Sequence, residues 1–144
     1  MADAARREGR ARRGSDERSG SGKVDIEKTK AYYDSLNSGD LCTCDYCRNY
    51  YKEIKSAYPT LAEYLRKMGV DIEKPLETMP LEPEADGTIL YTAVQYVVMG
   101  RPLRFHRSAV SGVHIGIAES HPMTNVSDEH FVMELWPIRL RWTM

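Results

Sequence analysis

The apolar residues of this chain change their period once. Up to residue 69 they recur at helical spacing, and from residue 88 they alternate or run in β-branched blocks. In "VDIEKTKAYYDSLNSG" (24–39), Asp25 is placed to cap a helix whose apolar positions are Ile26, Tyr33 and Leu36, with Gly39 to end it. A second helix is predicted to start between Thr43 and Asp45. Its stripe is Cys47, Tyr50, Ile54, Ala57 and Tyr58, at i, i+3, i+4 and i+7 spacing. "YPTLAEYLRKMG" (58–69) restarts the helix after Pro59. Thr60 and Glu63 match a capping box, Leu61, Tyr64, Leu65 and Met68 form a buried face, and Gly69 supplies the stop.

Residues 71–87, with three prolines, six acids and one lysine, read as an extended acidic connector. "TILYTAVQYVVM" (88–99) is β-branched and aromatic on both faces, as a central strand is. "LRFHRSAV" (103–110) reads as its return strand. "VHIGIAES" (113–120) follows a Ser-Gly turn, with Val113, Ile115 and Ile117 on one face and His114, Gly116 and Ala118 on the other. After the loop "HPMTNVSDE", "HFVMELWPIRLRW" (130–142) is the last strand, and Pro137 marks it as an edge or a bulge. The predicted fold is α+β: N-terminal helices packed on one face of a four-stranded antiparallel meander.

Residues 1–22 hold six arginines, four acids and no large apolar side chain after Met1, so they are expected to be a disordered tail, dispensable to a single domain over 23–144. The whole chain has a formal charge of −1, and the domain holds fourteen basic residues against seventeen acidic ones. Global attraction to nucleic acid or an anionic membrane is therefore not expected. No apolar run nears the ~20 residues of a membrane span, and the N-terminus lacks the apolar segment of a secretory signal. A cytoplasmic protein with reduced thiols is the expectation.

All three cysteines fall within six residues, at Cys42, Cys44 and Cys47. Two apart on an extended segment and three apart on a first helical turn, their side chains converge on one point. Three thiolates suit Zn²⁺, with an iron cluster disfavoured by the spacing. A closed tetrahedral site needs a fourth ligand, and His106, His114, His121 and His130 are the histidines available. A second reading makes Cys44 and Cys47 a redox pair activated by the helix N-terminus, although no thioredoxin-like βαβ context surrounds them. A third packs the cysteines beneath the helices, which suits Cys47 better than the other two.

The block "LCTCDYCRNYY", followed by "YPTLAEYLRKMGVDIEKP", resembles a group of small uncharacterised bacterial proteins carrying an LCxCxYCxNY pattern. The resemblance covers most of residues 30–142. It implies no activity, fold or ligand, and no functional residue is carried over from it.

Two further features bear on partners. Seven of nine tyrosines precede residue 65, which suits a protein interface or a shielded helix–sheet boundary. Arg101, Arg104, His106 and Arg107, with Arg139 and Arg141 on a neighbouring strand, form a candidate phosphate patch, so nucleic-acid binding through tail and strands ranks third. No nucleophile-elbow, dinucleotide or P-loop motif supports catalysis, so no catalytic residue is assigned. The sequence points to a binding or interaction module with an unknown protein partner or a homo-oligomeric one. Cys42, Cys44 and Cys47 are its candidate metal ligands, and a thiol oxidoreductase or redox sensor is the alternative.

Overall fold

The computed structural model describes residues 23–102 and 105–144; the tail expected over 1–22 lies outside them, as do Leu103 and Arg104. Three helices come first: α1 (Ile26–Ser35), α2 (Asp45–Ala57) and α3 (Pro59–Arg66). Six strands follow: β1 (Glu77–Pro80), β2 (Thr88–Met99), β3 (Ser108–Val110), β4 (Val113–Ile117), β5 (His130–Trp136) and β6 (Ile138–Arg141). They form one antiparallel sheet in the order β1-β2-β5-β4-β3, with β6 also paired to β2. The α+β class is as expected, whereas six strands replace the expected four.

The two additional strands have distinct origins. β1 forms inside the presumed connector, pairing Glu77 with Gln95 and Thr78 with Val94. The last predicted strand is divided at Pro137. Both halves keep one register on β2, with Val94 opposite Leu135 before the break and Tyr91 opposite Ile138 after it. Proline has no N–H to give a ladder, so pairing lapses there. β5 lies between β2 and β4, so the break, rather than an edge position, accommodates Pro137.

The meander expectation is overturned. β5 takes the place beside β2, and β3 goes to the far edge, an order of the Greek-key type. Strand length explains it. β2 is twelve residues long, and only the long final segment can match its backbone groups. Among the described residues of "LRFHRSAV", only Ser108–Val110 form a strand, β3.

The helix expectations hold in outline. Asp25 Oδ1 accepts the Lys28 N–H at 3.0 Å, capping α1. Gly69 ends the helical region at φ +89°, where a Cβ would stand 2.6 Å from the Ile26 carbonyl oxygen. The Thr60–Glu63 capping box does not form: α3 starts at Pro59 with no side-chain cap, and Glu63 binds Arg66 instead. Ile26, Tyr64 and Ile117, expected on apolar faces, are 49%, 36% and 45% exposed.

α1 covers an edge of the sheet. Beyond β1, the Met99 N–H donates to Thr29 Oγ1 at 3.0 Å, Asp25 N–H donates to the Met99 carbonyl at 2.9 Å, and the Tyr33 hydroxyl donates to the Val97 carbonyl at 2.7 Å. Helix groups thus stand in for a missing strand neighbour. The core joins Tyr50, Ile54, Leu61 and Leu65 of the helices to Ile89, Tyr91, Val94, Tyr96, Met133, Leu135 and Ile138 of the sheet.

Buried phenols carry polar groups into that core, and each finds a partner. Tyr96 donates to the Ile72 carbonyl at 2.7 Å, so in its bond with Tyr50 it is Tyr50 that donates. Tyr96→Phe removes one donor and strands both partners, at a cost of about 1–3 kcal/mol. Tyr64→Phe, at an exposed position, should change stability by less than ~0.5 kcal/mol. Urea denaturation of the two variants checks this, and equal effects would contradict it.

Candidate metal centre

The cysteine block converges as its spacing predicts. A short 3-10 turn (Ser38–Asp40) precedes it, and Leu41 is extended at φ −107°, ψ 152°. Cys44, extended at φ −68°, ψ 161°, is the N-cap of α2, and its Sγ accepts the Cys47 N–H at 3.4 Å. Sulfur here takes the place usually held by a serine or aspartate oxygen. Cys47 lies in the first turn and faces β1, its Sγ 3.2 Å from Thr78 Oγ1. The Tyr51 hydroxyl reaches back to donate to the Cys42 carbonyl at 2.8 Å.

All three cysteines are free thiols, and their sulfurs lie within 4.8 Å of one another. Sulfurs around a tetrahedral zinc at about 2.3 Å stand about 3.8 Å apart. Cys42 and Cys44 are exposed and Cys47 is buried, so the cluster has a protein side, at Thr78, and a solvent side.

The thiols differ in acidity. The backbone N–H of Cys44, followed by its side chain, hydrogen-bonds to Cys42 and lowers the Cys42 pKa, against its burial and the Glu77 charge. Burial pushes the Cys47 thiol up to about 12, although the Thr78 hydroxyl works in the opposite direction. The redox reading expected the helix N-terminus to activate the Cys44–Cys47 pair. For Cys47 desolvation wins, while Cys42, whose thiol is lowered, lies outside the C-x-x-C pair.

The histidines are not brought in. Among the described residues, no histidine or carboxylate ligand atom joins the three sulfurs. His114 stacks on Trp136 at 5.5 Å between ring centres. His130 is held by Thr124 Oγ1 and the Asp128 carbonyl, at 2.8 Å each. His106 and His121 are exposed, the first just before β3 and the second in the loop after β4. β3 and β4 form the opposite end of the sheet from β1, which carries Thr78.

Three residues of the site escaped the sequence reading. Thr78 and Glu77 lay in the presumed connector. Asn49 sits at the flank of α2's apolar arc, where a polar residue reads as solvated, yet it is fully buried. Its amide N–H groups donate to the Arg141 carbonyl at 2.9 Å and the Tyr91 hydroxyl at 3.4 Å.

Among the described residues the expected basic patch does not assemble. β6, with Arg139 and Arg141, pairs β2 and is not a neighbour of β3. Arg139 pairs with Glu84 at 3.0 Å, Arg101 with Glu129 at 2.9 Å, and Arg107 lies over the Trp136 ring. No helix among the described residues is long and apolar enough to cross a membrane. Comparison with family models, curated proteins and solved structures finds no match.

In reduced, metal-free protein at neutral pH, iodoacetamide should modify Cys42 readily and Cys47 only on unfolding, because the thiolate is the reacting form. Peptide mass spectrometry at timed quenches reads the order. Cys47 reacting as fast as Cys42 would contradict the burial assigned to it.

Proposed function

We propose that this chain is a binding module in which Cys42, Cys44 and Cys47 hold a zinc ion. The observation that carries the reading is the convergence of three reduced sulfurs within 4.8 Å across a helix N-terminus. Thiolates are the ligands zinc takes in structural sites, and the α2 N-terminus favours the negative charge they bring. The ion would staple the first turn of α2 to the extended segment before it, beside the Cys47–Thr78 contact to β1. In small zinc-dependent peptides such binding is worth about 10–16 kcal/mol of folding free energy. This domain has its own core and depends on the metal less.

A second reading rests on Cys42. An exposed thiol of lowered pKa beside two others is suited to reversible oxidation, and this reading needs no metal.

Purified without chelator, the protein should carry about one zinc per chain, and chelation should lower its melting temperature. Cys44→Ser separates the two roles of that residue. Serine caps a helix well, so α2 is retained while a thiolate ligand is lost. The variant should be metal-free and melt where the chelated wild type melts. A metal-free wild type would sink the reading, and so would a Cys44→Ser protein that keeps its zinc.

A further inference from the structure

We infer that zinc at this site keeps its fourth position open and takes there an imidazole nitrogen from outside the fold, with His121 of a second copy as the donor; the inference rests on the zinc reading above. Three observations lead to it. The fold supplies three ligands and, among the described residues, no fourth. Cys47 is buried against Thr78 while Cys42 and Cys44 are exposed, so the vacant direction of a tetrahedron points to solvent. The surroundings also select the donor. Zn²⁺ with three thiolates is already net −1, Asp45 adjoins Cys44 in sequence, and the Glu77 charge acts on Cys42. The Arg48 guanidinium lies 4.0 Å from the Asp45 carboxylate, already engaged. A fourth anion would add like charge to this cluster, whereas imidazole is a neutral zinc ligand.

The chain carries a histidine prepared for that role. His121 is exposed, and its Nδ1 lies 2.8 Å from the Pro122 carbonyl oxygen. A carbonyl only accepts, so the proton of the neutral ring sits on Nδ1 and Nε2 keeps its lone pair. Metal-ligating histidines are commonly held this way, by a backbone carbonyl on the other nitrogen. Among the described residues Nε2 of His121 has no partner, whereas both nitrogens of His130 are engaged.

Cobalt(II) substitution of the full chain reports the ligand set through its visible spectrum. With His121→Ala the fourth ligand should be water, and added imidazole should shift the bands saturably. Concentrated wild-type protein should already show the imidazole-type spectrum and should roughly double its mass on metal loading. Free imidazole should return it to monomer. An imidazole response from a wild-type protein that stays monomeric would support the open position and overturn His121 as its donor. Bands indifferent to imidazole in His121→Ala, or shifted instead by a simple thiol, would overturn the inference while leaving the zinc reading intact. Absence of thiolate-to-cobalt bands would overturn both.

Discussion

A buried side-chain amide has no water to fall back on, and Asn49 uses both ends of its amide against the sheet and the chain end that follows it. Its N–H groups donate to the Arg141 carbonyl and the Tyr91 hydroxyl, and its oxygen accepts from the Thr143 N–H at 2.9 Å and the Thr143 hydroxyl at 3.2 Å. Leaving such partners unpaired costs about 1–3 kcal/mol each, so α2 has one favoured setting on the sheet. Tyr91 reinforces it by donating to the Tyr46 carbonyl at 2.6 Å, one residue before Cys47. With α2 fixed, Cys47 faces Thr78, Cys44 caps the helix, and Cys42 is drawn alongside. The sulfur cluster follows from how the helix is held.

The same economy runs through the rest of the molecule. Tyrosines bring large apolar rings into the core and carry a hydroxyl that ties one layer to the next. Tyr33 joins α1 to Val97, and Tyr96 joins β2 to Ile72. Of the seven tyrosines before residue 65, Tyr33 and Tyr50 are buried with such partners, Tyr50 against the Tyr96 hydroxyl. Tyr46 and Tyr51 serve the neighbourhood of the cluster. Tyr46 binds Glu82, which keeps its phenol above its ordinary range, and Tyr51 holds the Cys42 carbonyl.

Local rules made the helices legible. Asp25, Gly69 and the Cys47–Tyr50–Ile54 stripe each act within one or two turns, and each is where the pattern placed it. Strand order was not legible, because β2 chooses its neighbour by matching length across thirty intervening residues, which no local period records. β1 was hidden by the prolines and acids of the segment around it, since an edge strand needs only part of its backbone paired. At the site, the convergence of the three sulfurs was readable from spacing alone. The position of the histidines was not, because it depends on the sheet order.

α2 and the extended segment before it bring three thiols together, closed on the Thr78 side and open on the other. The zinc site proposed for them is defined by the number and kind of its ligands. X-ray absorption at the zinc edge of the purified full-length protein measures both. Three sulfurs at about 2.3 Å and one nitrogen or oxygen at about 2.0–2.1 Å are expected. A shell of nitrogen and oxygen only, or one of four sulfurs, would contradict it.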